Sequence, residues 1–84
     1  MDYAVGKLLR LYLSGFWCGY VESPSGNVRI VYKNAILPDG RFANANKLDR
    51  RFPRRIIVGE DIAYILEVTS DNRLRAKAWR PIKW

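Results

Sequence analysis

The sequence has no histidine and only one cysteine. Without histidine there is no His-ligated zinc site, no Ser-His-Asp triad and no imidazole general base. Cys18 has no partner for a disulfide within the chain, and in its aromatic stretch it reads as packing rather than chemistry. Acidic residues are few, 8 against 15 Lys and Arg. Glu60-Asp61 follows Val58-Gly59 and reads as a turn, while Glu22, Glu67 and Asp71 stand apart. No catalytic carboxylate pair, metal site or cofactor is therefore expected. The 6 glycines include no P-loop or Rossmann phosphate cradle. No apolar run approaches the ~20 residues of a membrane helix. Met1-Asp2 starts acidic, and Lys7 and Arg10 interrupt any signal-peptide core. These absences point away from an enzyme or a membrane protein and towards a small cytoplasmic binding module.

The 84 residues leave room for a single hydrophobic core, so one domain over 1–84 is expected. With 49% hydrophobic and 13% aromatic residues, that core can be filled. The net charge is +7 and it is segregated along the chain. Residues 1–40 carry net +1, 41–55 net +5, 56–72 net −4 and 73–84 net +5. Solubility alone does not require two basic blocks, whereas a polyanionic partner such as nucleic acid does favour them.

The apolar pattern is that of strands. Residues 5–13 place Leu9, Leu11 and Leu13 on one side and Leu8, Arg10 and Tyr12 on the other. Residues 16–22 are aromatic and β-branched, with Gly19 as the expected bulge or bend. Ser23-Pro24-Ser25-Gly26-Asn27 is a turn, and 28–33 completes a hairpin. Leu37-Pro38-Asp39-Gly40 is a further turn. The basic segment 41–55 fits a long loop with a short helical turn at Ala43–Leu48. Residues 55–58 and 62–68 read as extended, with Ile62, Tyr64, Leu66 and Val68 on one face. Ser70-Asp71-Asn72 turns the chain into 73–79, where Arg73, Arg75, Lys77 and Trp79 alternate with Leu74, Ala76 and Ala78. Pro81 ends that strand. The resulting expectation is all-β: a five-stranded Greek-key OB-fold-like barrel with a long basic loop between strands 3 and 4. An SH3-like barrel is the structural competitor.

Several stretches resemble the cold-shock domain, a nucleic-acid-binding OB-fold. Gly6-Lys7-Leu8 is similar to that family's opening Gly-Lys-Val, and Gly19-Tyr20-Val21-Glu22 to the Gly-Phe-Ile-Glu of its first RNA-binding motif. Gly26-Asn27-Val28-Arg29-Ile30-Val31-Tyr32 resembles its second motif, Gly-Asp-Val-Phe-Val-His-Phe, and Ala35-Ile36 follows as Ala-Ile does there. Gly59, Ile62/Tyr64/Leu66 and Ala76 through Pro81-Ile82 resemble its last two strands. The chain departs from the family where Arg29 and Val31 occupy the stacking Phe and His positions, and where extra residues precede Gly19. A relative of bacterial translation initiation factor one, a basic barrel on the small ribosomal subunit, is the alternative resemblance.

The resemblance and the charge pattern imply binding of single-stranded RNA or DNA with low sequence specificity. Bases would stack on aromatics while cations track phosphates. Tyr20 projects outward if Val21, Val28 and Ile30 point inward, and Tyr12 does so if Leu9 and Leu11 are core. Tyr32 joins the stacking set by resemblance, although plain alternation puts it with Val28 and Ile30. One of Phe16 and Trp17 faces out. Arg10, Arg29 and Lys33 supply cations on the same face, and Arg73, Arg75, Lys77 and Trp79 form a stripe on the last strand. Arg50-Arg51-Phe52-Pro53-Arg54-Arg55 is the densest cationic cluster; its arginines suit phosphate, and Phe52 either stacks or pins the loop to the barrel. The rival class is a barrel that docks on a protein or ribonucleoprotein machine such as the ribosome.

Overall fold

Short two-residue-period segments joined by turns give a closed barrel rather than a layered sheet. A computed structural model describes residues 3–12, 17–46, 51–52 and 54–83. Its strands are β1 (Ala4–Tyr12), β2 (Cys18–Ser23), β3 (Gly26–Val31), β4 (Asp61–Val68) and β5 (Leu74–Pro81), with one 3-10 turn at Tyr32–Asn34. They close in the order β1-β2-β3-β5-β4 and back to β1. This architecture is compatible with an OB-fold-like barrel.

β1 serves two neighbours. Ala4 to Lys7 pair with β4, and Leu8 to Tyr12 pair with β2. The β2–β3 hairpin turns at Pro24-Ser25, where Gly26 takes φ +124°. The Ser23 hydroxyl donates to the Gly26 carbonyl at 2.6 Å and accepts from the Ser25 amide at 3.2 Å. The β4–β5 hairpin turns through Thr69–Arg73 with Asn72 at φ +66°. β3 and β5 are the parallel pair, and they share a single registered couple, Arg29 with Arg75.

Two irregularities decide which side chains face inward. A register shift in β1 between Leu8 and Arg10 resets the alternation. Leu8 is therefore buried and Leu9 is not, a correction to the expected Leu9/Leu11/Leu13 face; Leu11 packs at the margin of the core and Leu13 lies outside the described residues. The shift thus falls at Leu9 of β1, while Gly19, the residue expected to bulge, stays in register opposite Leu11. In the β4–β5 ladder, Ile65 pairs with Ala78 but Leu66 with Ala76, leaving Lys77 as the extra residue. Beyond it the inward set becomes Trp79 and Pro81, both fully buried.

The core joins Leu8, Val21, Val28, Ile30, Ile62, Tyr64 and Ala76 to an aromatic cluster of Trp17, Tyr32, Phe52 and Trp79. Leu66 and Val68, expected on the Ile62/Tyr64 face, are exposed. Residues 55–58 form no strand: Ile56 is buried, and Ile57 to Glu60 make a turn closed by the Glu60 amide on the Ile57 carbonyl at 3.1 Å. No helix forms over Ala43–Asn46, where Asn44 has φ +52°. That segment is instead laced to the barrel by amide bonds from Ala43 to Ala35, Asn44 to Lys33 and Trp17 to Asn46.

Candidate functional site

Strand pairing assembles a transverse row on the outer surface. Arg10 of β1 lies opposite Tyr20 of β2, Tyr20 opposite Arg29 of β3, Arg29 opposite Arg75 of β5, and Arg75 opposite Glu67 of β4. At ~4.8 Å between strands, Arg10 to Arg75 spans about 14 Å. Tyr12 stands beside this row, and its ring meets that of Tyr20 edge to face at 6.3 Å. The Arg10 guanidinium is held above its ordinary pKa by its hydrogen bond with Tyr12. Tyr12 is exposed and Tyr20 half-buried, so both rings keep surface on the outer face.

The short β3–β5 contact leaves a hollow on each side of it. One, of about 370 Å³, is lined by Tyr20, Asn27, Arg29, Thr69, Asp71, Arg73, Leu74 and Arg75. The other, of about 310 Å³, is lined by Arg29, Val31, Lys33, Asn34 and Arg75. Arg29 and Arg75 form the ridge between them. Asn27 and Asn34 were not among the expected site residues. Only the parallel pairing of β3 with β5 brings them to the ridge, and alternation along one strand carries no signal for such a pairing.

Of the expected binding aromatics, Tyr32 and Trp79 are corrected, Trp17 is an inward-facing member of its pair with Phe16, and Phe52 takes the loop-pinning alternative. Trp17, Tyr32 and Trp79 are at most 3% exposed and Phe52 is 8% exposed, so none offers a ring face to a ligand. The Trp17 and Trp79 rings stack at 5.2 Å with 2° between planes, and Tyr32 meets Phe52 edge-on at 5.1 Å. The Trp79 indole donates to the Val31 carbonyl at 2.7 Å. For Tyr32, alternation prevails over the resemblance. Phe52 pins the basic loop to the barrel. Phe16 and Arg50 lie outside the described residues.

In space the acidic block of 56–72 is matched by cations, while most of the basic excess is not. Each of the four acids of 56–72 has a cationic partner: Glu60 with Arg54, Asp61 with Lys7, Glu67 with Arg75 and Asp71 with Arg73. The β4–β5 hairpin brings two of these acids, Glu67 and Asp71, to the C-terminal basic block. Lys33, Arg55 and Lys77 are exposed and have no carboxylate partner among the described residues. Arg51 donates to the Ala43 carbonyl at 2.5 Å.

Arg54, expected to meet phosphate, is a clamp instead. It donates to both Glu60 oxygens at 3.1 and 2.6 Å and to the Lys83 carbonyl at 3.1 and 2.5 Å. Glu60 also accepts the Ile57 amide at 2.6 Å. Burial pushes the Glu60 carboxyl up, but the bonds from Arg54 and the Ile57 amide outweigh it, and its pKa falls below the ordinary 4.5. A lowered pKa in the folded state contributes stability that is fully present above the unfolded value and lost as pH falls through the folded one. Glu60→Gln should therefore lower the melting temperature at neutral pH, with the difference from the parent shrinking below about pH 4.5. Melting curves from pH 7 to 3 check this; a gap independent of pH removes the clamp.

Compared with known proteins, the chain matches no protein-family model, no curated sequence and no solved structure.

Proposed function

We propose that the chain binds single-stranded RNA or DNA, with little sequence preference, across the outer face of β1, β2, β3 and β5. The observation that carries this reading is the row Arg10–Tyr20–Arg29–Arg75 with Tyr12 beside it. Tyrosine rings interleaved with guanidinium groups match what a flexible polyanion with π-faced bases needs. Lys33 continues the cationic edge, and Lys77 with Arg50, Arg51 and Arg55 of the basic loop are further candidate phosphate contacts. No chemical step belongs to this reading: the protein acts as a binding module in the cytoplasm, similar to a diverged cold-shock domain.

Fluorescence anisotropy of labelled single-stranded oligonucleotides, titrated at several salt concentrations, tests it. Binding should weaken with salt and exceed that to duplex. Replacing Arg10, Arg29 and Arg75 by Gln should reduce the log–log salt slope by roughly 0.7 for each phosphate that is no longer neutralised. Tyr20→Ala should cost about 1–3 kcal/mol without changing the slope. Glu67→Gln should tighten binding, because Glu67 holds the Arg75 guanidinium at 2.9 Å. Absence of binding at low salt refutes the reading.

The docking alternative draws on a different observation. Burial of Trp17, Phe52 and Trp79 removes much of the expected stacking surface, while a separate apolar hollow lies beside β4.

A further inference from the structure

The two hollows beside the β3–β5 ridge differ in charge. Asp71 lines the larger one, whereas the smaller, of about 310 Å³, is lined by Arg29, Val31, Lys33, Asn34 and Arg75. Every charged side chain in that smaller lining is a cation. The three cations come from three elements: Arg29 from β3, Lys33 from the 3-10 turn and Arg75 from β5. Arg29 and Arg75 stand in register across the strands, an arrangement that like charges disfavour and an anion between them relieves. Lys33 is exposed and has no carboxylate partner among the described residues.

The wall that carries Lys33 is held in place. Tyr32 is buried, the Ala35 amide donates to the Tyr32 carbonyl at 2.9 Å, and the Asn44 amide donates to the Lys33 carbonyl at 3.1 Å. Asn34 Nδ2 donates to the Ala76 carbonyl at 3.2 Å, and Trp79 Nε1 donates to the Val31 carbonyl at 2.7 Å. Two carbonyls that would repel an anion at the seam are thereby occupied.

Charge and shape narrow the anion. Guanidinium groups grip phosphate as a fork, and Lys33 adds a point charge. A phosphomonoester offers three terminal oxygens and a charge of about −1.5 to −2 at neutral pH, against about −1 for a phosphate within a strand. Three cations from three elements match the monoester. The outer row also ends here. Glu67 on β4 lies opposite Arg75 and accepts its Nε at 2.9 Å, so a phosphate backbone continuing past Arg75 meets a carboxylate. The hollow is at the small end of ligand sites, and Val31 gives it an apolar wall for a sugar.

We infer that this hollow seats the terminal phosphate of a single-stranded nucleic acid, a phosphomonoester held by Arg29, Lys33 and Arg75, with the strand running back over Tyr20 towards Arg10. The inference rests on the nucleic-acid reading and adds end recognition to it.

Anisotropy of one labelled oligonucleotide carrying a 5′-phosphate, a 3′-phosphate or hydroxyl groups at both ends tests it. One phosphorylated strand should bind at least about tenfold tighter than the hydroxyl-ended strand. Methyl esterification of that phosphate, which removes one charge and one free oxygen, should abolish the advantage. Lys33→Gln should reduce the ratio of the two affinities severalfold. Arg41→Gln, which removes the same charge from an exposed residue outside the hollow, should leave the ratio as it was. Amide shifts that distinguish the phosphorylated from the hydroxyl-ended strand should fall at Arg29, Lys33, Asn34 and Arg75. Equal affinity for all three strands overturns the inference and leaves the nucleic-acid reading standing. An advantage that survives methylation or Lys33→Gln overturns it as well. If no strand binds at low salt, both fall.

Discussion

Trp79→Ala should lower stability by about 3–5 kcal/mol, the range for removing a large aromatic from a packed interior. The indole is fully buried, lies parallel to Trp17 at 5.2 Å and meets Phe52 at 6.1 Å between ring centres. Its removal also takes the Nε1 donor from the Val31 carbonyl at the end of β3. The damage reaches beyond β5, because the Trp79 carbonyl accepts the Ile36 amide at 2.8 Å and Ala35 bridges to Trp79, tying the segment after β3 to the barrel wall. Small domains have about 5–15 kcal/mol in total, so a large share would go. Urea unfolding checks this: the midpoint should fall with the slope retained. A variant with the parent's midpoint would place the indole outside the core and make it available for stacking. Tyr20→Ala, on the outer face, should shift the midpoint far less.

Gly6→Ala should be nearly as damaging, for want of space rather than for want of packing. A Cβ at Gly6 would sit 2.0 Å from the Glu22 carbonyl oxygen and 2.8 Å from a Val21 methyl. The first obstacle is backbone, which cannot rotate away, so β1 must separate from β2 at the point where β1 passes from β4 to β2. Overpacking of this kind typically costs 1–3 kcal/mol, and the upper end, about 3 kcal/mol, is expected here. Val5→Ala, one residue earlier and exposed, should stay within about 0.5 kcal/mol. Equal midpoints for the two variants would mean that β1 and β2 are not in this close approach.

Much of the barrel is legible in the chain because strand signals are local. Turn residues at Pro24-Ser25 and Asp71-Asn72 mark two hairpins, and alternation of Val28 and Ile30 with Arg29 marks a strand half in water. The outward cations Arg10, Arg29 and Arg75 follow from the same alternation, as does Tyr12. The absence of histidine, the lone cysteine and the excess of basic residues are properties of composition and need no coordinates.

What alternation does not carry is its own interruption. One extra residue, Leu9 in β1 and Lys77 in β5, shifts the alternation beyond it, and neither position carries a glycine or turn residue that would mark a bulge in the sequence. That is why Leu8 replaces Leu9 in the core and Trp79 leaves the cationic stripe. Charge behaves likewise. The net −4 of 56–72 and the net +5 of 73–84 are separate blocks in sequence, and the β4–β5 hairpin brings Glu67 to Arg75 and Asp71 to Arg73. Composition and local alternation thus determined an all-β chain with a cationic, tyrosine-bearing face. Tertiary structure alone decided which aromatics are buried, which cations are neutralised and which residues share a hollow, because each depends on pairing between residues distant in sequence.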